Sequence, residues 1–129
     1  MDAIGIAASA LNRHQAWLNA ISNNIANIND AKNPSQSAFQ AQYLVAQESA
    51  GNTGVSVAGV QHGSATGRLV YDPTNPVASK AGYVRMPDID LGEQMSDLIM
   101  AQRGFEANSN VIDRAKETYQ AALQIGRNA

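Results

Sequence analysis

The chain has 129 residues, enough for one domain with a modest core. It contains no cysteine, which removes a disulfide frame, a thiol nucleophile and a cysteine-ligated metal from consideration. A formal charge of −2 gives no general case for nucleic-acid binding, and only 16% of residues are charged, against about 25% in an ordinary soluble domain.

The chain opens "MDAIGIAASALNRHQAWL", without the basic start of a cleavable signal, and Asn12, Arg13 and His14 interrupt its apolar run. No stretch approaches the roughly 18 apolar residues of a membrane span. Instead a seven-residue repeat runs over about residues 3–29. Ile4, Leu11, Leu18 and Ile25 share one position, and Ala7, His14, Ile21 and Ile28 fall three residues after each. That is the a/d seam of a helix lying along another helix. Asp2 is positioned as its N-cap, and Asn29-Asp30 followed by Asn33-Pro34 should end it. His14, at a d position, reads as a buried polar or register-setting residue.

The outer faces of this helix are unusual. Residues 1–30 carry three formally charged side chains, Asp2, Arg13 and Asp30, where a surface helix normally shows water a charged face. Residues 19–30, "NAISNNIANIND", hold five asparagines. Each disfavours helix by up to about 0.7 kcal/mol relative to alanine, so the segment should be weak alone. Neutral amides can hydrogen-bond across packed helices without the desolvation penalty of buried charge. The pattern predicts a helix buried by assembly, with Asn19, Asn23, Asn24 and Asn27 bridging neighbouring subunits.

The middle, residues 31–89, is rich in turn formers. "VSVAGV" (55–60) and "RLVY" (68–71) read as short strands, joined as a hairpin through His62-Gly63-Ser64. His62 should be solvated there. Residues 72–90 hold three prolines and little periodicity, which predicts an ordered, extended loop.

From about residue 90 to 126 the heptad design returns. Leu91, Leu98, Phe105, Ile112 and Tyr119 are seven apart, and Gln94, Ala101, Asn108, Ala115 and Ala122 follow each by three. Asp90 with Glu93 resembles a capping box, Pro87 punctuates the start, and Gly126 is placed to end the helix. The fold expected is mainly α with a small β portion: long helices over residues 1–30 and 90–129, packed as a coiled-coil-like pair and joined by an irregular middle.

Catalytic signatures are missing. His14 and His62 lie in different elements with no third ligand at metal spacing. "GNTG" and "GSATG" lack the lysine and flanking elements of a phosphate loop. Asp88, Asp90, Glu93 and Asp97 are explained by capping and by the helix dipole. No catalytic, cofactor or metal residue is assigned.

Two motifs together resemble the axial proteins of the bacterial flagellum, which build its rod and hook. Leu18-Asn19, Ile21, Ser22, Asn23, Asn24, Ile25, Ala26 and Asn27 match the "SNNIAN" signature of their first helix. Met95, Leu98, Ile99, Ala101, Arg103, Phe105, Glu106, Ala107, Asn108 and Val111 match that of their last. The loop with Tyr71, Pro73, Pro76, Gly82, Tyr83, Val84, Pro87 and Asp88 is similar to that of the family's proximal rod component C. The resemblance implies a structural, non-enzymatic subunit of the proximal rod that polymerises through its terminal helices and transmits torque across the periplasm. It implies as partners further copies, other rod proteins and the flagellar type III export apparatus, with no nucleic acid and no small-molecule substrate. Export would proceed without a cleavable signal. An α-helical adaptor or export-chaperone-like protein forming a small discrete oligomer is the alternative; a peptidoglycan-remodelling enzyme would need a catalytic carboxylate in a cleft.

Overall fold

A computed structural model describes residues 3–51 and 53–129. Helix α1 spans Ala3–Ala26 and helix α2 spans Leu91–Asn128. Between them lie strands β1 (Gln42–Glu48), β2 (Val55–His62), β3 (Arg68–Tyr71) and β4 (Tyr83–Met86).

The helices form where the heptads predict them. Asp90 caps α2, its carboxylate accepting from the Glu93 backbone N–H at 3.1 Å. The expected Asp2 cap lies outside the described residues. Asparagine winds α1 down: Asn27 gives both its backbone N–H (3.2 Å) and its side-chain amide (2.8 Å) to the Asn23 carbonyl. These bonds occupy a carbonyl that a helix end leaves without a partner. Gly126 does not end α2, which continues to Asn128 with open space around that glycine.

The strands pair differently from the expected hairpin. β2 pairs antiparallel with β1, a strand not foreseen over residues 42–48, and β3 pairs antiparallel with β4, inside the segment predicted to be loop. His62-Gly63-Ser64 therefore connects two separate ribbons rather than turning one. The β1–β2 ladder slips at Val45/Ala46, where Ala58 stands as the extra residue of a bulge. Lys32 adds a bridge to Arg85, exchanging backbone bonds of 2.8 and 2.7 Å.

The buried apolar core is thin. It comprises Ala7, Ala20, Ile21, Ala38, Ala41, Val84, Ile89 and Ala101, mostly alanines that let backbones approach closely. The chain exposes 8347 Å², whereas surface scaling gives roughly 6,600 Å² for a folded monomer of its 13.6 kDa. The excess includes much apolar surface: Ile6, Val60, Leu69, Leu91, Met95, Ile99, Tyr119 and Ile125 are all more than two-fifths exposed.

Candidate assembly surface

The heptad seam of α1 is covered by α2. Ala7, His14 and Ile21 on the d line are buried, while Ile4, Leu11, Leu18 and Ile25 on the a line are half-buried. On α2, Ala101 is fully buried and Leu98, Phe105, Asn108 and Ile112 are half-buried. Leu91, Met95 and Tyr119 are exposed, so the seam predicted for the whole of α2 is covered in the chain only from Gln94 to Ala115.

Two contacts set the register. The first is at His14, which is 9% exposed. Its Nδ1 lies 2.7 Å from the Ala10 carbonyl and so carries the proton, leaving Nε2 to accept from the Arg13 guanidinium at 3.2 Å. Its ring fills the space over Gly104, where an added Cβ would come within 2.1 Å of Nε2. His14 is thus the register-setting residue its d position predicts. Its partner, a glycine inside a helix, had no sequence signal beyond a poor helix former in a strong heptad.

The second contact is at Asn24. This side chain is 0% exposed and fully bonded. Its amide donates to the Gln42 carbonyl (3.0 Å) and to Gln94 Oε1 (3.1 Å), and its Oδ1 accepts from the Gln42 N–H (2.8 Å). One asparagine thereby joins α1, β1 and α2. The bridging between subunits predicted for Asn24 does not fit this geometry, because every polar atom of the side chain is engaged within the chain. Asn19 and Asn23 are exposed; Asn19 accepts from Gln15 at 3.1 Å, and Asn23 accepts from the half-buried Asn27 at 3.1 Å.

Beside Asn24 a cleft opens between α1, β1 and α2, lined by Arg13, Trp17, Tyr43, Gln94 and Asp97 among others. Burial pushes the Tyr43 phenol above its ordinary pKa, and the carboxylates of Glu93, Asp88 and Asp97 add to the effect.

The loop motif forms a second packed unit. Tyr71 and Tyr83 face each other across β3–β4, with ring centroids 5.3 Å apart and edge to face. Gly82 adopts φ 85°, and a Cβ there would meet the Tyr71 ring at 2.7 Å and Pro73 at 3.1 Å, so the position calls for glycine. Pro87 is buried while Pro73 and Pro76 are exposed. Arg85, which the motif reading passed over, ties the middle together. Its guanidinium donates to the Pro34 carbonyl (2.8 Å from Nη2) and to the Thr66 carbonyl.

The helix register has a consequence at the far end. From His14 to Asn24 the chain advances ten residues along α1, while the contacts retreat ten along α2, from Gly104 to Gln94. The helices are antiparallel, and the same register brings Ala3 opposite Ala115. From Lys116 to Ala129 every residue is exposed. Tyr119 and Ala122 continue the seam by heptad position, with Leu123 one turn on from Tyr119, beyond the point where Ala3, the first described residue of α1, stands opposite. No helix among the described residues is long and apolar enough to cross a membrane, so the exposed apolar arm is not explained as a span.

Comparison with known proteins agrees with this design at both ends. Residues 4–32 match the family model described as flagella basal body rod protein, and residues 80–125 match the flagellar basal body rod FlgEFG protein C-terminal model. The chain is 33% identical over 131 residues to the flagellar basal-body rod protein FlgC of Escherichia coli O6:H1, covering 98% of both chains. The chain belongs to the flagellar basal-body rod protein family. The FlgC of Yersinia enterocolitica is 34% identical over 131 residues and 98% of each chain. That of Borreliella burgdorferi is 31% identical over 145 residues, 96% of this chain and 95% of its own. The family is structural rather than enzymatic. A rod protein assembles with other rod proteins in the basal body, and the alternative of a discrete adaptor finds no support.

Proposed function

We propose that this rod protein is a subunit of the proximal rod that polymerises through its terminal helices, and that those helices carry torque along the drive shaft. The observation that carries this reading is the mismatch between the helices: α2 continues its apolar seam past the point where α1 ends. Tyr119 is 63% exposed and Leu123 51%, positions that a neighbouring helix would cover. Ile4, Leu11, Leu18, Ile21 and Ile25 with Leu98, Ala101, Phe105, Asn108 and Ile112 hold the subunit's own pair. Asn19, Asn23 and Asn27, with Leu91, Met95 and Tyr119, are left to meet neighbours. A thin core of small residues also suits a chain that passes unfolded through the flagellar type III export apparatus toward the periplasm.

The test is complementation of a motile bacterium lacking its own copy, using the chain shortened after Ala115. The reading expects synthesis, no incorporation into purified basal bodies and no swimming. Normal swimming with the shortened chain present in the rod would refute it. A point variant, Ile25→Asp, should fail likewise by opening the helix pair.

A further inference from the structure

The cleft between α1, β1 and α2 holds a polar group that the fold leaves unused. Asn24 is fixed in orientation by β1, because its Oδ1 accepts from the Gln42 backbone N–H at 2.8 Å. Its Nδ2 therefore faces Gln94, and the Gln94 atom that meets it at 3.1 Å is the oxygen. That turns the Gln94 amide nitrogen the other way, where it donates to no group among the described residues. Gln94 is 1% exposed, yet no sealed side-chain nitrogen or oxygen among the described residues lacks a partner. The nitrogen is therefore not closed into the core; it faces the cleft that Gln94 lines.

The rest of the wall shows what that donor is placed to meet. The cavity holds about 190 Å³, below the roughly 300–1,000 Å³ of a site for a drug-sized ligand, so it admits one side chain and not a continuous backbone. Trp17 and Tyr43 supply aromatic surface, and Asp97 supplies an acceptor. Arg13 adds donors: its guanidinium gives one bond to His14 Nε2 and has no other partner among the described residues. A carboxylate guest would suit Arg13 and Gln94 but would meet Asp97. An ammonium or guanidinium guest would suit Asp97 but would face Arg13 and leave the Gln94 amide without an acceptor. A carboxamide carries both halves. Its C=O accepts from Gln94 and Arg13, its NH2 donates to Asp97, and it brings no charge into the cleft.

We infer that the cleft is a binding site for a carboxamide side chain, and that its occupant is an exposed asparagine on α1 of a second copy of this chain. The inference rests on the rod-subunit reading and names the contact. At about 100° per residue, Arg13, Trp17 and Asn24 lie within an arc of about 40° on α1, and Asn12, Asn19 and Asn23 lie within another, centred about 120° round the helix. All three of the latter are exposed. Asn12 makes no hydrogen bond among the described residues, and Asn19 and Asn23 use only their oxygens, so every side-chain N–H of the row is free. Arg13 is the one formally charged side chain of α1, which leaves the amide row as neutral as the guest the cleft calls for. Cleft and row are different surfaces, so the contact is heterologous: a copy that accepts an asparagine still offers its own, and contacts extend instead of closing as a two-fold dimer.

Trp17, the single tryptophan, lines the cleft and reports its occupancy in the full chain. Acetamide is the probe, with sodium acetate and methylammonium chloride as controls. They are titrated into a row variant (Asn12→Ala, Asn19→Ala and Asn23→Ala together), in which no copy can fill another's cleft. Acetamide should shift the Trp17 emission saturably, on the order of 10 mM for a ligand of so few atoms, and the two ions should not. Gln94→Glu keeps the oxygen that Asn24 needs and removes the donor; with folding verified by circular dichroism, it should weaken acetamide at least about tenfold. Sedimentation velocity then tests the source. Wild type should associate with rising concentration, with little response to salt because neutral groups meet, and acetamide should reverse it. The row variant and the Gln94→Glu variant should each associate at least about tenfold more weakly. Their equimolar mixture should form a one-to-one complex, because each retains the surface the other lacks.

No response to acetamide, an equal response to either ion, or unchanged acetamide binding after Gln94→Glu overturns the carboxamide site. Acetamide binding by a wild-type chain that stays monomeric, or a row variant that associates like wild type, overturns the second copy as occupant and assigns the cleft to a different protein. Basal bodies purified from complemented cells separate these results from failure of the rod reading. If the site fails while the wild-type chain is recovered in basal bodies, the inference falls and the rod reading stands. If acetamide binds but the wild-type chain is absent from basal bodies, the rod reading itself falls.

Discussion

Replacing Asn24 by alanine should destabilise this protein far more than any other asparagine substitution in the same helix. The side chain is fully buried and makes three hydrogen bonds, to the backbone N–H and C=O of Gln42 and to Gln94 Oε1. Removing it strands all three partners, and Gln94, 1% exposed, is closed to water. A net hydrogen bond contributes about 1 kcal/mol, and a buried group left unpaired costs about 1–3 kcal/mol. Water can relax onto Gln42, which is only half-buried, so the total expected is about 3 kcal/mol, or a drop of about 10 °C in Tm. Asn27→Ala, which removes bonds within one turn of a half-buried site, should cost less than about 1 kcal/mol. Asn24→Asp should be worse than alanine at neutral pH, since it turns a donor into an anion facing two oxygen acceptors. Urea unfolding followed by fluorescence of Trp17 suits the measurement, because this single tryptophan lines the same cleft as Asn24 and Gln94. If Asn24→Ala moves the urea midpoint no more than Asn27→Ala does, the buried amide node does not hold the helices and the hairpin together.

Gly104→Ala should destabilise by about 1–3 kcal/mol through overpacking against His14, even though alanine is the better helix former by about 1 kcal/mol; His14→Ala should restore much of the loss in a double-mutant cycle. Gly126→Ala, with nothing within 4 Å of the added carbon, should instead raise the helical signal and stabilise by up to about 1 kcal/mol. Asp90→Ala should cost about 1 kcal/mol by removing the cap from α2, read as a lower urea midpoint. The pH response of Tyr43 has a definite sign. Its pKa is raised on folding above the ordinary 10.0 by burial first and by neighbouring carboxylates second. The folded state therefore holds the proton more tightly, and the contribution is present below pH 10 and lost as pH rises through the folded pKa. Tyr43→Phe should flatten the fall of the urea midpoint above that pH, and an unchanged slope would refute the assignment.

Several elements were legible in the sequence because their signals are local. Heptad spacing located both helices, Asp90 with Glu93 marked the start of α2, and the d-position histidine was correctly read as buried. The strands were harder. Short apolar runs such as "VSVAGV" (55–60) identify a strand but not its partner, because pairing depends on residues elsewhere in the chain. β1 escaped notice because "QYLVAQE" has mixed polarity, and β4 because it sits among prolines and a glycine. Gly126 looked like a helix terminator, yet no left-handed turn is required there and the helix runs on.

The sequence by itself determined two long helices with apolar seams, a soft middle and membership signals at both ends, since each of these follows from the period and identity of neighbouring residues. Tertiary structure decided which asparagine is buried, which strands pair, and where α1 stops against α2. Those outcomes depend on register between distant segments. Asn24 lies outside the a/d positions and is indistinguishable in sequence from Asn23, but rotation by 100° turns one into the junction of three elements and leaves the other in water. The same register, set by His14 on Gly104 and Asn24 on Gln94, leaves the last turns of α2 uncovered for a neighbour.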